Sequence, residues 1–131
     1  YQKDHLILSD VKFSLNAGEF VYLIGKTGSG KSSLLKTIYA DLWLQEGEGE
    51  VVGYKLHELD RKDVPYLRRK IGIVFQDFQL LTDRNIRKNL IFFMQAMGWK
   101  DKPEIERRIV EVLTQVELPH VLENMPHQLS G

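Results

Sequence analysis

The stretch Phe20-Val21-Tyr22-Leu23-Ile24-Gly25-Lys26-Thr27-Gly28-Ser29-Gly30-Lys31-Ser32-Ser33-Leu34-Leu35-Lys36-Thr37-Ile38 decides how this chain is read. Phe20 to Ile24 is an unbroken apolar run of β-forming residues, the pattern of a strand covered on both faces. Leu34, Leu35 and Ile38 repeat at helical spacing. Between them, Gly25 to Ser32 fits the phosphate-loop pattern G-x-x-x-x-G-K-[ST] without a gap. Glycines at Gly25, Gly28 and Gly30 let the backbone curl, so that successive N–H groups point inward as an anion-binding nest. The helix starting near Lys31 brings its positive end to the same point. The Lys31 ammonium reaches toward β- and γ-phosphates, and the Ser32 hydroxyl suits Mg²⁺. Ser29, Thr27 and Ser33 are neighbouring donors. A chance glycine-rich turn would lack the strand before and the helix after, so the expected ligand is a nucleoside triphosphate with Mg²⁺.

Outward from the loop, Val11, Phe13 and Leu15 alternate with Lys12, Ser14 and Asn16, as in a half-buried strand. Ala17-Gly18 marks a turn. Glu46 to Gly53 reads as a glycine-rich turn region around a short strand at Val51-Val52, with Glu46, Glu48 and Glu50 solvated. Val64-Pro65 opens a short helix, since proline suits a first turn. Ile71 to Phe75 is a second continuous apolar strand. From about Asn85 the pattern becomes helical. Asp101, with Glu104 three residues on, reads as a helix N-cap, followed by the apolar stripe Ile105, Ile109, Val112 and Val116. The expectation is an α/β body with an antiparallel portion over residues 1–84, and a helical lobe over 85–131.

The 131 residues contain eighteen basic and eighteen acidic side chains. Zero net charge gives no electrostatic reason for a nucleic-acid or anionic-membrane partner. The clusters Arg68-Arg69-Lys70 and Arg84, Arg87, Lys88 accordingly read as solvated faces, with contact to a partner protein as the alternative. Hydrophobic content of 43% suffices for a core. Absence of cysteine excludes disulfide and thiolate chemistry and fits a reducing compartment. The run Leu90 to Met94 is far short of the ~20 residues that cross a bilayer, and Tyr1 to His5 does not look like a signal peptide. The histidines His5, His57, His120 and His127 are isolated and read as surface or packing residues.

Further motifs give the chain a family resemblance. Ile71-Gly72-Ile73-Val74-Phe75-Gln76-Asp77 resembles the strand and Q-loop of ABC transporter ATP-binding subunits, and Gln128-Leu129-Ser130-Gly131 resembles the start of their LSGGQ signature. Tyr1, seven residues before Leu8, stands where the family places an aromatic on adenine. The resemblance covers essentially the whole chain. It implies a P-loop NTPase of ABC type that takes ATP and Mg²⁺. By that match Gln76 contacts the metal and attacking water, beside Ser32. Leu129, Ser130 and Gly131 would bind the γ-phosphate held by the other subunit of a homodimer. An integral membrane partner would place the protein on the cytoplasmic face of the bacterial inner membrane, and Leu90 to Met97 reads equally as a partner face and as core.

Val64 to Gly72, followed by Gln76-Asp77 and Leu80-Leu81-Thr82-Asp83-Arg84, resembles the cell-division branch of the family, the FtsE type, whose membrane partner is FtsX. The branches for lipoprotein release and macrolide export (LolD and MacB types) are the alternative, and a nucleotide-dependent scaffold without turnover is an alternative of another class. A GTPase would need an Asn-Lys-x-Asp base reader, which is absent. The family pattern continues past the signature to the Walker B carboxylates and a switch histidine, none of which can be located here. The expectation is therefore that residues 1–131 bind nucleotide but barely hydrolyse it.

Overall fold

The computed structural model describes residues 6–77 and 79–129. The chain divides into two compact units, Tyr1–Gly72 and Ile73–Gly131.

In the first unit, α1 spans Lys31–Ile38. It ends in a left-handed turn at Ala40, φ 56°, closed by the Asp41 amide donating to Lys36 O at 2.7 Å. A two-stranded antiparallel hairpin follows, β1 (Glu50–Val51) and β2 (Tyr54–Lys55), with Val51 opposite Tyr54. The strand thus begins one residue earlier than the sequence suggested, because Val52 is taken into the turn with Gly53. A 3₁₀ turn, Leu56–Glu58, leads on, and α2 (Val64–Arg69) carries Pro65 in its first turn as expected. Ala40, Leu56 and Leu67 form the core, packed by Leu44, Val51, Tyr54, Leu59, Val64 and Ile71. Arg68 is not merely a solvated charge: its Nε donates to Tyr39 O at 3.0 Å and its Nη2 to Ala40 O at 3.1 Å, satisfying carbonyls at the C-terminus of α1.

In the second unit, α3 (Ile86–Ala96) starts at Asn85, whose side chain accepts from the Lys88 amide at 2.9 Å. α4 (Lys102–Gln115) starts at Asp101, whose Oδ1 accepts from the Glu104 amide at 2.8 Å, as the N-cap pattern predicts. α3 packs on α4 around Ile86, Ile105, Ile109, Leu113 and Val121. The stripe on α4 needs a correction. Ile105 and Ile109 are buried as expected, but the third buried position is Leu113, while Val112 and Val116 are exposed. The i, i+4, i+8 line faces α3, and Val116 lies at the C-cap, past the last turn that α3 covers.

α3 divides the apolar run that began at Leu90. Leu90, Ile91 and Met94, with Trp99, pack against the core, whereas Phe92 and Phe93 are exposed. Arg87 is tied down rather than solvated: it pairs with Glu106, and its Nε donates to Glu123 Oε1 at 2.8 Å. Arg84 chelates Asp83 through Nε and Nη2, both at 2.9 Å, and lies over the Phe92 ring.

The segments 11–15, 20–24 and 71–75, read as strands, carry no strand ladder among the described residues. Their apolar side chains are largely open to solvent: Phe20 is 79% exposed and Ile24 87%. A strand is completed by a ladder along its edges, and the one sheet among the described residues, β1–β2, includes none of these three segments.

Candidate nucleotide site

The phosphate loop runs straight into α1. Gly30 precedes the helix with φ 88°, and no side chain caps the first turn. The leading amides of a helix have no intrahelical acceptor, so an uncapped start leaves N–H groups and the positive helix end available to an anion. Gly30 must be glycine twice over: its φ is left-handed, and a Cβ there would stand 2.8 Å from Leu8 Cδ2. At Gly25 a Cβ would meet Ser29 Oγ at 2.8 Å, so the Ser29 hydroxyl would have to turn aside. Gly28 faces the opposite situation, with nothing within 4 Å of where a Cβ would be. Side chains thus lie close to the two ends of the loop, and its crest is open.

Within the loop, the Ser29 amide donates to Lys26 O at 3.1 Å. The Leu34 amide donates to Gly30 O at 2.9 Å, beginning the helical ladder. Lys31 folds back over the loop. Its Nζ donates to Gly25 O at 2.7 Å and to Lys26 O at 2.8 Å. The ammonium is thus held at the loop's mouth by two carbonyls rather than extended into bulk water. Ser32 is exposed on the first turn, and Ser33 is half-buried, its carbonyl accepting from Thr37 Oγ1 at 3.0 Å. Lys26, Thr27 and Ser29 are exposed. A crest of small residues, a held cation, free leading amides and an accessible hydroxyl suit a phosphate chain with Mg²⁺.

Gln76 lies in the second unit, exposed in the bend that follows 71–75. Leu129 is half-buried against the α3–α4 core, behind a 3₁₀ turn (Pro126–Gln128) in which the Met125 amide donates to Gln128 Oε1 at 2.7 Å. Tyr1, Ser130 and Gly131 lie outside the described residues.

No sequence pattern singles out Asn89. It is 6% exposed, in the second turn of α3. Its Oδ1 accepts from the Leu81 amide at 2.8 Å, and its Nδ2 faces the carbonyls of Leu81, Arg84 and Asn85 at 3.0, 3.1 and 3.1 Å. The available cue was one amide among apolar residues on a helix, which spacing alone does not separate from a solvent-facing position.

The family model described as ABC transporter matches residues 8–131. The chain belongs to the ABC transporter family. Among curated relatives, the cell division ATP-binding protein FtsE of Streptococcus pneumoniae is 37% identical over 131 residues, covering 100% of this chain and 56% of the relative. FtsE of Bacillus subtilis is 38% identical over 125 residues, covering 95% of this chain and 54% of the relative. The methionine import ATP-binding protein MetN 2 of Salmonella choleraesuis is 37% identical over 124 residues, covering 95% and 36%. Among solved structures, the ADP- and Pi-bound dimeric post-hydrolysis state of the ATP-binding cassette MJ0796 superposes with a TM-score of 0.80 at 33% identity, covering 95% of this chain and 55% of that one. This ABC chain therefore spans about half the length of the FtsE relatives it matches. Its fold is the α/β P-loop fold of the ABC cassette, to which its helices and antiparallel hairpin belong. No helix among the described residues is long and apolar enough to cross a membrane.

Proposed function

We propose that this ABC chain carries the ATP-binding portion of an FtsE-type ATPase subunit. Its partner is an FtsX-type permease at the cytoplasmic face of a bacterial inner membrane, in cell division and wall remodelling. The observation that carries the nucleotide reading is the Lys31 ammonium held over the loop ahead of an uncapped α1. In this reading Gly25 to Ser33 hold the phosphates, Ser32 and Gln76 hold Mg²⁺, and Tyr1 stacks on adenine. Bound Mg²⁺ supplies charge neutralisation at the phosphates. Gln76 orients water, and Leu129, Ser130 and Gly131 face the γ-phosphate of a second copy. The division into a core (1–84) and a helical subdomain (85–131) belongs to the same proposal. The relatives named FtsE support the branch.

Calorimetric titration of residues 1–131 with Mg-ATP tests this. Binding is expected, weakened at least about tenfold, or ~1.4 kcal/mol, in Lys31→Ala. Turnover is expected to stay near background, because the chain shows positioning groups without a located catalytic carboxylate. Robust hydrolysis by residues 1–131 that disappears in Gln76→Ala refutes the inactive-alone reading, and absence of Mg-ATP binding refutes the site itself.

The MetN 2 relative favours a second reading, the ATPase of a solute importer. Turnover of the full-length protein, reconstituted in turn with an FtsX-type and a methionine-permease-type partner, separates the two. Stimulation by the FtsX type alone is expected.

A further inference from the structure

All the residues concerned here lie in the second unit. Leu81, five positions after Gln76, has its amide and carbonyl both bound by the Asn89 side chain, at 2.8 and 3.0 Å. Asn89 Nδ2, which donates to Leu81 O, also donates to Arg84 O and Asn85 O. One buried side chain on α3 thus grips the segment that leads from the Gln76 loop into the helix at several backbone groups. Leu80, next to the grip, packs into the α3–α4 core. Between Gln76 and the grip, Gln79 has φ 52°. A left-handed non-glycine residue persists only where its surroundings enforce it.

We propose that Asn89 is a positioning residue: it fastens the downstream end of the Gln76 loop to α3, so that Gln76 is presented in one place. The proposal rests on the reading of Gln76 as a group that meets metal and water. Asn89 touches neither. It acts through the Leu81 backbone, which only four residues separate from Gln76, so a shift of that anchor is carried along a short tether to Gln76. Apolar packing alone would not require an amide here: Nδ2–H donors and an Oδ1 acceptor are both used, so neither Leu nor Asp reproduces the set.

The test uses the full-length protein. Asn89→Ala is compared with Leu113→Ala, which removes core packing on α4 and leaves Asn89 and its hydrogen bonds to Leu81 in place. The expected result for Asn89→Ala is a fall in kcat of about tenfold and a rise in the Mg²⁺ concentration for half-maximal turnover, with ATP affinity within about twofold of wild type. Leu113→Ala is expected to lower thermal stability comparably and leave both kinetic readouts in place. Equal kinetic losses in the two variants, or unchanged kcat and Mg²⁺ dependence in a folded Asn89→Ala, overturn the proposal. Where Asn89→Ala does not fold, amide exchange in the wild type decides. The Leu81 amide is expected to exchange about as slowly as the middle of α3, and exchange as fast as an open loop overturns the grip. Absence of ATP binding by the wild type, in contrast, strikes the nucleotide reading and not the grip, which the exchange measurement reads separately.

Discussion

Val52 and Gly53 form a two-residue hairpin loop with φ 46° and 84°. Two left-handed residues are what the twist of a tight antiparallel hairpin requires, and asparagine followed by glycine meets that need best. Valine does so poorly, because its branched Cβ crowds the backbone at positive φ. Val52 is about half exposed, so its side chain contributes little packing to set against that strain. Val52→Asn is therefore expected to stabilise the first unit by about 0.5–1 kcal/mol, seen as a higher urea midpoint with unchanged slope. A lower midpoint would show that Val52 packs usefully in solution. Residues differ in how openly the sequence announces them. Lys31 was legible because a phosphate loop fixes its offset from the glycines, and the folded-back ammonium follows from that spacing. Asn89 was not, because its partners are backbone groups of a loop eight residues away, and no periodicity encodes which loop will lie against a helix.

α4 shows the same limit among elements. Its cap was readable at Asp101 and its apolar face at Ile105 and Ile109, since both are local properties. Whether Leu113 or Val112 completes the buried line depends on where α3 crosses, which is not local. Ile109→Ala is expected to cost about 3 kcal/mol, as for other fully buried aliphatics, and Val116→Ala less than about 0.5 kcal/mol. Comparable losses at both positions, measured by chemical unfolding, would restore the original stripe. The turn that leads into α3 has its own pH signature. The hydrogen bonds from Arg84 hold the Asp83 carboxyl below the usual carboxylate range, opposed by a smaller desolvation. A lowered folded-state value means that the pair's contribution is complete above the unfolded carboxylate pKa, ~3.9, and fades as pH falls through the lowered one. Asp83 is open to solvent and Arg84 only half-buried, so the effect is small and screened by salt. Asp83→Asn is expected to flatten the acid limb of the stability curve below about pH 4 at low salt, with little change at neutral pH. An unaltered acid limb would mean that the pair does not persist in solution.

At the scale of the whole molecule, the two helical clusters are closed while the three apolar segments are open. Ile105, Ile109 and Leu67 are at most 2% exposed, whereas Val74 is fully so. This contrast has a physical source. Helices satisfy their own backbone and need only a partner face, which α3 and α4 give each other. Segments 20–24 and 71–75 are apolar on both sides and need edge partners as well as covering layers. That is also why the α/β class was legible from these runs while their pairing was not, in a chain about half as long as its FtsE relatives. Exposed apolar segments outside a sheet seek strand edges, including those of another copy. Residues 1–131 alone are expected to self-associate at micromolar concentration, measured by sedimentation velocity. The double change Val21→Lys and Val74→Lys is expected to shift the boundary toward the monomer, because a lysine on an open edge opposes strand addition. A wild-type chain that sediments as a single monomeric species and unfolds cooperatively would mean that these segments find partners within the 131 residues.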